Sequence, residues 1–151
     1  MTVVRSYVES DEPDVAKLLS SCVAELGDKR GGQALVSAWL GSASPDDALS
    51  RFSSHLSSWS PAYFVASGSS GVLGMAACWQ REHDGEVMLF VDPAARRAGI
   101  GRELLHAALR ELRSRGVLQV DAIVTPGDRA FKVLLENTTF KARLLIMRAA
   151  L

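Results

Sequence analysis

The chain has 151 residues, enough for one domain to bury about two-thirds of the surface its unfolded form exposes. Apolar residues make up 48%, which excludes a disordered chain, and 17 basic residues balance 17 acidic ones. That neutral balance argues against a broad nucleic-acid surface, and no apolar run approaches the roughly 20 residues that span a bilayer.

No charged-then-apolar segment opens the sequence, so the expected location is the cytoplasm. Cys22 and Cys78 both lie in apolar patterns and are expected as two buried thiols rather than a disulfide or a metal pair.

In chain order, Thr2 to Val8 reads as a first strand. Ser10-Asp11-Glu12-Pro13-Asp14 then opens a helix, with acidic residues and a proline suited to its first turn. Val15, Leu18, Leu19, Cys22, Val23 and Leu26 recur at steps of three and four and define its apolar face, and Gly27 is its expected stop. The polar stretch Asp28 to Gly32 reads as a mobile loop, and the short apolar piece Ala34 to Leu40 has no clear assignment. Ser44-Pro45-Asp46-Asp47 reads as a cap, with Asp47 reaching back to the Ser44 amide, and Leu49, Phe52 and Leu56 as the buried face of the helix that follows. Tyr63 to Ala66 and Val72 to Trp79 form a hairpin about Gly68–Gly71, and Glu86 to Val91 is a third, central strand ended by Pro93.

From Gly99 the period becomes helical. Ile100, Leu104, Leu105, Ala108, Leu109 and Leu112 share one face, and Gly116 ends the helix. Val117 to Thr125 reads as a strand, Pro126-Gly127-Asp128 opens a helix with Phe131, Leu134 and Leu135 inward, and Arg143 to Arg148 closes as a strand. Helices first, an antiparallel run, then a β-α-β-α-β tail predict one α/β (α+β) domain over residues 1–151, its mixed sheet covered by helices on both faces.

The sharpest chemical feature is the junction Val91-Asp92-Pro93-Ala94-Ala95-Arg96-Arg97-Ala98-Gly99-Ile100-Gly101-Arg102. A strand ends, a loop turns and a long helix begins, so unpaired amides and the positive dipole end face outward together. Gly99 and Gly101 clear side chains from the approach of a bulky anion, and Arg96, Arg97 and Arg102 add positive charge. The pattern predicts a pyrophosphate cradle. It is neither of two better-known loops. The dinucleotide fingerprint needs a third glycine where Leu104 stands, and the nucleotide P-loop needs Gly-Lys-Ser/Thr where Gly32-Gln33-Ala34 stands.

Arg96-x-x-Gly99-x-Gly101 resembles the Arg/Gln-x-x-Gly-x-Gly/Ala signature of the GNAT N-acetyltransferase superfamily, and the order of elements around it is similar over most of the chain. The resemblance implies a mostly antiparallel GNAT-like sheet, acetyl-CoA or another acyl-CoA as cofactor, and an amine-bearing small molecule or a protein amine as acceptor. It gives no role to nucleic acid or membrane, and related proteins often form homodimers. By the same resemblance, backbone groups of Leu89, Phe90 and Val91 pair with the pantetheine arm where the strand splays from Val117–Thr125. Amides from Arg97 through Ala98, Gly99, Ile100 and Gly101 to Arg102 hold the pyrophosphate.

Acylating an amine requires a base, a polarised carbonyl and a stabilised thiolate. Glu86 is the candidate base, with a solvated strand end as the alternative, and His83 or Asp84 in the preceding turn stand behind it. The family often places an acidic tyrosine within Leu-Tyr-Glu of its last helix, and here Leu134-Leu135-Glu136 puts leucine at that position. Asp128 reads as a helix cap, while Arg129 and Lys132 are positioned to reach phosphates or an acidic substrate group. Arg30-Gly31-Gly32 is the candidate substrate-side loop. Two functions follow: an N-acyltransferase, or an acyl-CoA-binding module without catalysis that serves as a sensor or partner subunit.

Overall fold

Side-chain alternation along the central strands assigns the two faces of one sheet. The computed structural model describes residues 1–151 and contains strands β1 (Val3–Ser6), β2 (Ala62–Gly68), β3 (Gly71–Arg81), β4 (Asp84–Val91) and β5 (Val120–Asp121). They lie in the order β1-β2-β3-β4-β5, antiparallel until the last pair, where β5 runs parallel to β4. The helices are α1 (Glu12–Asp28), α2 (Gly32–Leu40), α3 (Ala48–Leu56), α4 (Ile100–Ser114) and α5 (Arg129–Glu136). None is long and apolar enough to cross a membrane.

One face carries Val65, Met75, Ala77, Trp79, Met88 and Phe90 against the apolar stripe of α1 and against α2 and α3. The other carries Ala66, Ala76, Cys78 and Val87 against Ile100, Leu104, Leu105, Ala108 and Leu112 of α4 and Leu135 of α5. The alanines and glycines of β3 and β4 let α4 lie close on the sheet. A Cβ on Gly74 would sit 2.9 Å from Leu104 Cδ1, and one on Gly85 would sit 2.9 Å from Leu112 Cδ1. These contacts hold α4 close against β3 and the start of β4.

The expected mixed sheet with helices on both faces is therefore present, and several local expectations change. The piece from Ala34 to Leu40 is part of α2. A 3-10 turn at Glu9–Asp11 precedes α1, because Asp11 turns inward to accept two bonds from Arg5, both at 2.7 Å, and one from the Val8 amide at 2.9 Å. At Ser44 the hydroxyl accepts the Asp46 amide at 3.2 Å, and Asp47 makes no return bond, since the segment winds as a tighter 3-10 turn. Only Val120 and Asp121 of the expected strand Val117–Thr125 pair with β4.

The closing strand expected at Arg143–Arg148 is absent. Leu144, Leu145, Ile146 and Met147 are 76–86% exposed, and no strand edge pairs with them. Strand propensity reflects fit to a half-buried pleated surface, and without such a surface an apolar run does not become a strand.

Candidate active site

The site begins where two strands part. β4 and β5 are in register only at Gly85–Val120 and Glu86–Asp121, with a further bond from the Gly85 amide to the Gln119 carbonyl at 2.8 Å. From Val87 to Val91, β4 has no strand neighbour on that side. A cavity of about 310 Å³ opens at the divergence. Met88, Leu89 and Phe90 of β4 line one side, and Ile123, Thr125, Asp128 and Phe131 line the other. The slot expected beside Leu89–Val91 is thus an architectural feature of the sheet.

At the end of β4 the loop tightens in steps. Asp92 accepts the Ala94 amide at 2.8 Å and caps the 3-10 turn Pro93–Ala95. Arg97 then takes a positive φ of 66°, and Gly99, as the N-cap of α4, one of 82°. The left-handed conformation is what requires glycine at 99, because a Cβ there would meet nothing within 4 Å. That open space lies directly before the first turn of α4, whose amides have no helical partner. Gly101 instead permits close packing, since its Cβ would lie 3.1 Å from Leu134 Cδ2. Arg97, Ala98 and Arg102 are exposed around the same turn.

Arg96 behaves differently from its neighbours. Its guanidinium binds both oxygens of Glu25 on α1, and its Nε donates to the Val91 carbonyl at 3.1 Å. Its charge is committed to Glu25, and it ties α1 to the base of the loop. The Arg96 bonds hold the Glu25 carboxyl below the usual carboxylate range. Burial pushes the thiol of Cys22, whose Sγ lies 3.6 Å from the same Val91 carbonyl, up to about 11.

Glu86 stands in register with Trp79 on β3 and Asp121 on β5, so the three share the sheet face covered by α1–α3. All three line the cavity. The Glu86 side chain is 24% exposed, with Arg81 Nε at 3.4 Å from its Oε1. Glu82, His83 and Asp84 at the β3–β4 turn are exposed and do not line it.

Leu135, at the position matched to the family's tyrosine, is buried on the α4 side of the sheet, and Phe131 one turn earlier is the α5 residue at the cavity. Tyr7, just past β1, and Tyr63 of β2 lie edge to face at 6.1 Å, away from the cavity. Lys132 pairs with Glu136 at 3.0 Å, and Arg129 is exposed.

Two segments singled out separately in the sequence meet at the cavity mouth. The Gly127 amide donates to the Arg30 carbonyl at 2.8 Å, and Lys29 lies 3.4 Å from Asp128, which also accepts the Phe131 amide as the α5 cap. Glycine is needed at this crossing: a Cβ on Gly127 would lie 2.4 Å from Arg30 N, and one on Gly31 would lie 2.6 Å from Pro126 Cδ. The α1–α2 loop is therefore strapped to the β5–α5 loop.

Sequence reasoning missed the cavity's apolar wall. Trp39, Phe52 and Phe90 form an aromatic cluster, with Trp39 edge-on to both rings at 5.3 and 6.1 Å and the two phenylalanines stacked at 6.1 Å. Asp121 and Thr125 were also missed, because their placement depends on where β5 parts from β4. Trp79 Nε1 and Thr125 Oγ1 are sealed from solvent without a hydrogen-bond partner.

The family model of the acetyltransferase (GNAT) family matches residues 31–134. The chain belongs to the GNAT acetyltransferase family. No curated protein matches it. Among solved structures, the ribosomal-protein-alanine N-acetyltransferase from Brucella melitensis is 22% identical, with a TM-score of 0.72 over 92% of this chain and 84% of that one. A GNAT superfamily phosphinothricin acetyltransferase from Sinorhizobium meliloti, solved with acetyl-CoA, is 19% identical, with a TM-score of 0.70 over 93% and 75%. An N-acetyltransferase from Thermoplasma acidophilum, solved with coenzyme A, is 15% identical, with a TM-score of 0.68 over 91% and 88%. These likenesses establish the shared fold.

Proposed function

We propose that this chain is an N-acyltransferase that takes an acetyl group from acetyl-CoA and passes it to a primary amine. The observation that carries this reading is the divergence of β4 from β5, which leaves the β4 edge beyond Glu86 unpaired up to Val91, where the glycine loop that opens α4 begins. The residues fit acetyl-CoA. The open approach before Gly99 leaves room for a pyrophosphate beside the amides of Arg97 to Arg102, with Arg97 and Arg102 as free cations. The unpaired edge of β4 offers the backbone of Leu89 and the amide of Val91 to an amide-bearing arm, whereas Phe90 turns its backbone groups to β3 and the Val91 carbonyl already accepts from Arg96. Relatives of the same fold were solved with acetyl-CoA or coenzyme A.

Bound there, acetyl-CoA supplies an activated acyl carbon: the amine nitrogen bonds to it as the carbon–sulfur bond breaks. The chain's own part is to bind, orient and move protons. β4 amides near Leu89 polarise the carbonyl. Glu86, directly or through a water, accepts the proton that the ammonium must lose. A rise of about 3.3 Å per residue separates Glu86 from Leu89 by roughly 10 Å, which suits a relay through water. Leu135 cannot donate a proton, so water protonates the departing thiolate, whose own pKa of about 8–9 makes it a tolerable leaving group.

The direct test is thiol release from acetyl-CoA in the presence of an amine library. Amine-dependent release supports transfer. Binding of acetyl-CoA with no release above background for any amine leaves a cofactor-binding module and rejects the enzyme.

A further inference from the structure

The chemistry of the acceptor can be read from the cavity wall. On the α1–α3 side the lining is Leu35, Trp39, Phe52, Leu56, Met88 and Phe90, an apolar and largely aromatic surface. The carboxylates Glu86 and Asp121 face the same cavity from adjacent strands, in register with each other. Asp121 has no ion-pair partner, whereas the third carboxylate, Asp128, is committed to Lys29 and to the cap of α5. The remaining charged or titratable lining groups are Arg81, beside Glu86, and His55 on α3. Asp121 is thus the uncompensated charge at the slot, beside the Glu86–Arg81 pair, and the wall facing it is apolar.

We propose that the acceptor is a compact primary monoamine with an aromatic or branched apolar body. Its ammonium meets Glu86 and Asp121, and its body lies against Trp39, Phe52 and Phe90. The proposal rests on the N-acyltransferase reading above. Size supports it, because the cavity of about 310 Å³ must also admit the acyl end of the cosubstrate. Charge supports it as well: a second ammonium on the acceptor would be driven against the aromatic wall without a partner.

The experiment compares 2-phenylethylamine and isoamylamine with spermidine and an alanine-leading peptide. It reads kcat/KM for acetyl transfer, together with calorimetric binding of each amine to the protein–coenzyme A complex. The two apolar monoamines are expected to exceed the others at least tenfold in both readouts. Leu35→Glu, at a partly exposed α2 position, should shift the ratio towards spermidine at least tenfold with acetyl-CoA affinity unchanged. A protein that does not bind acetyl-CoA at all refutes the underlying enzyme reading. One that binds it but prefers spermidine or the peptide, or whose coenzyme A complex does not take up 2-phenylethylamine, overturns the acceptor assignment alone.

Discussion

Arg96 grips Glu25 through two parallel bonds, Nη1 to Oε1 at 2.7 Å and Nη2 to Oε2 at 2.8 Å, joining a loop at the end of β4 to the last turn of α1. Bidentate geometry makes the pair stronger than an ordinary surface ion pair, although both side chains are about one-third exposed. Glu25→Gln should cost about 1 kcal/mol of stability at neutral pH. The sign with pH follows from the lowered folded-state value of Glu25. Its contribution is complete above the unfolded carboxylate range, near 4.3, and is lost as pH falls through the folded value. Urea midpoints should differ between parent and Glu25→Gln at pH 7 and converge towards pH 3. The Asp11–Arg5 pair, which weakens with acid in both proteins, cancels in that comparison. A gap that stays constant down to pH 3 would show that this carboxylate does not titrate as part of the clamp.

Gly99 is constrained by backbone conformation alone, because the space where a Cβ would stand is empty. Gly99→Ala should destabilise by about 1 kcal/mol, and Gly99→Asn by less, since asparagine tolerates the left-handed region better. Thermal melts of the three proteins check the ranking. Equal stability of all three would mean that the loop relaxes out of the left-handed conformation.

Burial raises both thiols to about 11, so Cys22 and Cys78 are expected to be protonated and shielded at pH 8. A colourimetric thiol reagent should find neither in the native protein and both after denaturation. Fast reaction of one thiol under native conditions would place that residue outside the core.

Removing the base should act on turnover and leave cofactor binding intact. Glu86→Gln is expected to lower kcat by about a hundredfold with a responsive amine and to flatten the acid limb of the pH profile. The direction follows from the role, because a base works only when deprotonated. If the two profiles superimpose, Glu86 is a strand end paired with Arg81, and the amine loses its proton elsewhere.

The glycine loop between β4 and α4 was legible in the sequence because its physics is local. Strand, turn, two glycines and helix are consecutive, whereas the positive φ of Arg97 has no local signal. The faces of α1 and α4 were legible from their period. The acceptor wall was not, because Trp39, Phe52 and Phe90 come from three separate elements, and nothing in the pattern of α2 shows that Trp39 turns towards Phe90. Arg96 was readable as a cation but not as a clamp, since its partner lies 71 positions away. The tail misled for the opposite reason. Leu144 to Met147 has the composition of a strand, and strand formation depends on a neighbour that local sequence does not encode.

The central claim is that acetyl-CoA lies with its pyrophosphate at the first turn of α4, and calorimetric titration of acetyl-CoA into parent, Gly101→Ala and Gly101→Asp tests it most directly. The alanine variant controls for packing, because its methyl group must be accommodated 3.1 Å from Leu134 Cδ2. It should bind within a few-fold of the parent. The aspartate variant places a negative charge beside the phosphates and should bind at least about tenfold more weakly, a difference of about 1.4 kcal/mol or more. A folded Gly101→Asp protein that binds acetyl-CoA as tightly as the parent would contradict the account.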